Sequence, residues 1–168
     1  MRVLTITLAK AAPGGVYVSV KPLLSAANTI CCLIDRVKLQ INCTVRDPDS
    51  LHVTEIYSRT DNDAFSADPT LMHTAYITGV ENWAETSEGD ILVALLSCPS
   101  LDKRQSALRK KYGFTFDYEE YKPHLTLCVV NSWSSQGEKE YFLEILNKIF
   151  LDRKLTLTSE TSEPLDES

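Results

Sequence analysis

Two histidines in this 168-residue chain each stand two positions before a threonine, as His52-Val53-Thr54 and His124-Leu125-Thr126. Both tripeptides lie in stretches where apolar and polar residues alternate. In a β-strand, residues two apart share a face, so each tripeptide sets an imidazole beside a hydroxyl and turns Val53 or Leu125 the other way. An unperturbed imidazole titrates at about 6.5 and can take or give a proton near neutral pH. Placed on opposite sides of one phosphate, two imidazoles supply the base that activates an attacking oxygen and the acid that protonates a leaving one. Thr54 and Thr126 would donate to the non-bridging oxygens, and Lys122, on the His124 face by alternation, would add a cation. Together these residues form a plausible metal-free phosphodiesterase site. His73 has no such companion and reads as an ordinary strand or loop residue.

Strands must carry both motifs, and the pattern supplies them. Val16, Val18 and Val20 alternate with Tyr17, Ser19 and Lys21, which predicts a strand after Gly14-Gly15. Leu23, Ala27, Ile30, Ile34 and Val37 recur at spacings of three and four, predicting a helix over about Leu24 to Leu39. A turn at Arg46–Ser50 leads into a strand over Leu51 to Tyr57. Further strands are expected at Thr74–Val80 and Asp90–Leu96, and at Tyr121–Val130 around the second motif. A helix capped by Ser100 should run to Tyr112 and stop at Gly113, and another should span Glu138–Phe150. A short strand at Lys154–Thr158 then closes a single domain over residues 1–158, leaving Ser159–Ser168 as a disordered acidic tail. The interleaving of strands and helices, with one helix and one His-x-Thr strand in each half, suggests an α/β or α+β domain.

Composition limits what such a domain can serve. At 43% hydrophobic the chain can bury a sizeable core, and no apolar run reaches the length of a membrane helix. The formal charge of −6 argues against gripping long nucleic acid and leaves room for a small anionic ligand in a local pocket. The five cysteines form no C-x-x-C pair, so neither structural zinc nor another cofactor is expected. Val3–Leu8 is short and alternates as a strand does, unlike a signal peptide, which points to a cytoplasmic protein.

His52-Val53-Thr54 and Lys122-Pro123-His124-Leu125-Thr126-Leu127 resemble the paired signatures of the two-histidine phosphoesterase superfamily. That resemblance implies an α+β, bilobal fold in which two antiparallel sheets form a central cleft with helices packed outside. Within the superfamily, Gly15–Lys21 and the run from His52 to Arg59 are most similar to the bacteriophage anti-CBASS nucleases, which degrade the cyclic nucleotides of bacterial CBASS immunity. The resemblance makes His52 and His124 the catalytic histidines and Thr54 and Thr126 the phosphate-orienting threonines. Tyr17 and Trp83, the latter in an expected polar loop, become candidates for stacking on a base, and Lys122 for contacting substrate. It implies metal-independent opening of cyclic di- or trinucleotides in the cytoplasm of an infected bacterium, with a homo-oligomer possible. Processing of RNA 2′,3′-cyclic phosphate ends is the alternative, to which Lys103, Arg104, Arg109, Lys110 and Lys111 would lend a basic patch. A non-catalytic sponge for cyclic nucleotides is another.

Overall fold

A computed structural model describes residues 14–38, 41–86 and 89–165, without the side chains of 84–86. The strand-like stretch Val3–Leu8 lies outside them. Seven strands and three α-helices follow in the order β1 (Val16–Pro22), α1 (Leu24–Val37), β2 (Asn42–Val45), β3 (Val53–Ser58), β4 (Met72–Thr86), β5 (Gly89–Ser97), α2 (Pro99–Tyr112), β6 (His124–Ser132), α3 (Gln136–Phe150) and β7 (Lys154–Pro164). A single 3-10 turn, Pro48–Ser50, precedes β3.

Two sheets were the expectation, and the strands form one instead, all antiparallel, in the order β2-β6-β5-β4-β7-β1-β3. The cause is the length of β7. Its first residues, Lys154 to Thr158, pair with β4, and Leu157 to Pro164 pair with β1, so one strand joins both halves. The expected disordered tail is therefore strand as far as Pro164. Its alternating Ser, Thr and Glu residues lack an apolar signature, and the backbone of β1 supplies the ladder that composition does not reveal. The short β2 and the extension of β4 beyond Val80 to Thr86 escaped the pattern for the same reason.

The valines of β1 are buried, as are Ala27, Ile30 and Ile34 of α1 and Phe142, Leu146 and Phe150 of α3, and together they make the helix-covered side of the sheet. Helix α3 starts with a capping box: Ser135 Oγ accepts from the Glu138 amide at 3.1 Å, and Glu138 Oε2 accepts from the Ser134 amide at 2.7 Å. Helix α2 is capped at Cys98, with Pro99 in its first turn, so Ser100 is not the cap, and Gly113 ends it at φ 72°. Gly89, at φ 127°, opens β5, and a Cβ there would stand 2.5 Å from the Val130 carbonyl oxygen. Gly89→Ala is expected to cost about 1–3 kcal/mol, read as a lower thermal midpoint.

Candidate active site

In the sheet order, four strands separate β3 from β6, which carry the two motifs. The sheet nevertheless curls so that β3 approaches β6: the Tyr121 hydroxyl, just before β6, donates to the Thr54 carbonyl at 2.8 Å. The curl opens a cleft on the side away from α1 and α3.

The two histidines are held in the same way. His52 Nδ1 lies 2.8 Å from the Ser50 carbonyl oxygen, and His124 Nδ1 lies 2.8 Å from that of Lys122. A carbonyl only accepts, so each Nδ1 carries the hydrogen and each Nε2 is left for chemistry. Burial pushes His124 below the ordinary histidine range. The Lys122 carbonyl opposes that shift, and the neighbouring charge of His52 adds to it.

Tyr17 lies beside the first motif, its ring edge-on to His52 with centroids 5.9 Å apart and its hydroxyl 2.7 Å from Thr54 Oγ1. Burial raises the Tyr17 phenol, which therefore stays protonated. When it donates to Thr54, the Thr54 hydroxyl hydrogen is free to point into the cleft. Trp83 faces the second motif, its ring 4.3 Å from that of His124. It sits on β4 and not in a loop, with Nε1 donating to Glu81 at 3.0 Å. Thr126 is half-buried on β6, two residues from His124.

A cavity of about 330 Å³ is lined by Thr54, Tyr57, Trp83, Phe116, Tyr118, Glu120, Tyr121, Lys122 and His124; of each motif one member lines it, and His52, Thr126 and Tyr17 lie outside the lining. Tyr57, Phe116, Tyr118, Glu120 and Tyr121 carried no motif. Phe116 to Tyr121 belong to the irregular segment between α2 and β6, where periodicity says nothing about facing; only the clustering of aromatics could have flagged them. Lys122 is in the lining, exposed, and 3.8 Å from Glu120. A larger open groove of about 820 Å³ lies between α1 and β2, but no histidine lines it.

The basic stretch of α2 is not one surface. Arg104 turns inward to Glu160, Arg109 covers the Phe116 ring at 5.1 Å, and Lys111 covers Tyr112 at 4.8 Å. His73 is buried on β4, with Nδ1 2.9 Å from Ser100 Oγ. Among the described residues, no group of three or more His, Cys, Asp or Glu side chains is arranged to hold a metal ion, and no helix is long and apolar enough to cross a membrane.

Residues 14–168 match the profile of the family described as anti-CBASS protein Acb1. The anti-CBASS protein Acb1 of Vibrio phage KVP40 is 32% identical over 120 residues, covering 71% of this chain and 69% of the relative. That of Escherichia phage RB16 is 28% identical over 155 residues, covering 87% and 84%. Among solved structures, TT0787 of Thermus thermophilus shares the fold, with a TM-score of 0.53 at 11% identity over 88% of this chain and 83% of that one.

Proposed function

The chain belongs to the anti-CBASS protein Acb1 family, and from that premise we propose that it opens cyclic di- or trinucleotides by metal-independent cleavage of a 3′–5′ phosphodiester, lowering the level of a CBASS signal in a phage-infected bacterium. The observation that carries the reading is the paired imidazoles, each tied through Nδ1 to the carbonyl two residues earlier and each with Nε2 free. The two His-x-Thr strands and the curled α+β sheet also support placing the chain in the two-histidine phosphoesterase superfamily, with a cleft between two lobes.

In the first step, His124 Nε2 takes the proton of the ribose 2′-hydroxyl, and the 2′ oxygen bonds to phosphorus. The P–O5′ bond breaks, and O5′ takes the Nε2 proton of His52, which enters this step as the imidazolium with hydrogen on both ring nitrogens. The product is a linear chain ending in a 2′,3′-cyclic phosphate. Water then bonds to phosphorus as the P–O2′ bond breaks, with the roles exchanged: His52 takes the water proton, and His124 returns its proton to the 2′ oxygen, which restores both histidines. Burial keeps His124 neutral, which suits it to act first as base. Thr54 and Thr126 donate to the non-bridging oxygens, Lys122 stands at the cavity mouth, and Tyr17 and Trp83 hold bases. The aromatic lining of the cavity suits a nucleotide-sized ligand, and the breakup of the α2 basic stretch disfavours a long RNA there. Incubation with a cyclic dinucleotide, quenched at short times and separated by chromatography, tests the order of events. A linear 2′,3′-cyclic phosphate that rises and then decays supports it, and a linear 5′-phosphate as first product refutes it.

Thr54→Val removes a donor aimed at developing charge, so turnover should fall by roughly 10²-fold or more, with a smaller change in KM. Tyr17→Phe, which leaves the Thr54 hydroxyl in place but unanchored, should cost less. Steady-state kinetics of the two variants checks that ranking.

Acid dependence follows from His124. Its folded-state pKa lies below the unfolded value of about 6.5, so below that pH the unfolded chain binds more protons there. The stability owed to neutral His124 is complete above about pH 6.5 and is lost as the pH falls through the depressed value. Denaturant titrations of the parent and His124→Gln should diverge in that window, with the parent losing more. The acid limb of kcat/KM should likewise lie below about 6.5.

A further inference from the structure

Each His-x-Thr tripeptide is followed at once by a β-bulge. On β6 the register passes from Leu92↔Cys128 to Val93↔Thr126, leaving Leu127 unopposed. On β3 it passes from Val18↔Ile56 to Ser19↔Thr54, leaving Glu55 unopposed. A bulge re-aims the side chains beside it, and here it keeps Thr54 and Tyr57, three residues apart, both on the cavity. Leu127 shows that the bulge itself needs no carboxyl, since it is a fully buried core leucine. Glu55 is equally buried, with 0% exposure, and neither of its oxygens has a hydrogen-bond partner.

A second carboxyl arrives from the other flank of β1. Between Ser19↔Thr161 and Lys21↔Thr158, β7 sets two residues, Ser159 and Glu160, against Val20, with Ser159 at φ 57°. Glu160 is buried and binds Arg104 of α2 through two bonds of 3.0 Å, and it accepts the Asp68 amide at 2.6 Å. Arg104 Nε is 3.9 Å from Glu55 Oε1, so its bonds serve Glu160 and only its charge reaches Glu55. The titratable groups that face this pair are His73 from β4, whose pKa burial lowers, the Tyr121 phenol, and Asp68, whose charge reaches Arg104. The buried nitrogens His73 Nε2 and Gln105 Nε2 also lack partners. Two buried carboxyls sharing one guanidinium cannot both ionise cheaply. Desolvation first, and Glu160 next, push Glu55 up to about 8.

We propose that Glu55 is a positioning residue for the phosphate site: as the neutral acid it packs beside the Arg104–Glu160 pair without repelling it and leaves the bulge that aims Thr54 in place, and as the carboxylate it drives β3 from β7 and loosens that aim. Strand β3 is the one that yields, because among the described residues it ends the sheet and pairs with β1 alone. The role assigned to Thr54 rests on the hydrolase reading above; the coupling of Glu55 to β3 does not.

The test is an NMR titration of the full chain from about pH 6 to about pH 10, with carboxyl-labelled glutamate and methyl-labelled threonine. Glu55→Gln is run beside it, and kcat and KM on a cyclic dinucleotide are measured over the same range. A glutamate titrating near 8 and missing from the variant, a Thr54 methyl shift with the same midpoint, and a several-fold fall in kcat at that midpoint, present in the parent beyond the alkaline limb that loss of the His52 proton gives both proteins, would support the proposal. Glu160→Gln, which frees Arg104 for Glu55, should move that titration down, and it serves if Glu55→Gln does not fold. A Glu55 titrating in the usual carboxylate range, a Thr54 signal indifferent to it, or an alkaline kcat profile identical in the parent and Glu55→Gln would each overturn it. If cyclic dinucleotides are not turned over at any pH, the hydrolase reading fails, and the Thr54 methyl titration alone decides the coupling.

Discussion

Alanine at either His52 or His124 is expected to lower turnover of a cyclic oligonucleotide by about 10²–10⁴-fold, the usual worth of a positioned general acid or base. Binding should change far less, because the cavity that Thr54 and His124 line is built mainly of aromatic side chains. The two losses should not add: one proton is taken and one given in the same step, so removing either partner removes most of what the pair does. Folding should survive both changes, since His52 is exposed and His124 lies on the cleft side of β6. Asparagine at either position, able to donate to the same backbone carbonyl, separates orientation from proton transfer. Asparagine variants that fold and bind yet do not turn over would place the chemistry on Nε2. Variants retaining parental turnover would remove that histidine from the mechanism.

A substrate methylated at its ribose 2′-oxygens should resist cleavage to the same degree or more. The proposed nucleophile is that hydroxyl, and methylation leaves no proton for His124 to take and no oxygen able to close the cyclic phosphate. Competition against unmodified substrate checks that the analogue still binds. Cleavage of the methylated compound at an unchanged rate would mean that water attacks directly, with the histidines acting on a different nucleophile.

Much of the site was legible because strand alternation is a geometric rule. Tyr17 and Lys21 are less buried than the valines of β1, whereas Ser19, at the register shift, is buried with them, and Tyr17 does meet Thr54. Trp83 was legible as a residue and not as a place, since Glu81, Asn82 and Trp83 look like a loop until β5 pairs with them. Tyr57 and Glu55 were hidden by the bulge, which breaks the very period that sequence reading relies on. Tyr121 was hidden because its partner, the Thr54 carbonyl, is backbone and lies 67 residues away. The joining of both halves into one sheet was hidden too, because Ser159–Pro164 pairs through backbone groups that every residue shares.

Metal-independent cleavage by the two histidines is tested by incubating the protein and its His52→Ala and His124→Ala variants with a panel of cyclic di- and trinucleotides in the presence of EDTA, with products resolved by chromatography. Linear products are expected from the parent protein, with large losses in both variants. Intact cyclic nucleotide recovered from the parent, whether bound or free, would contradict it.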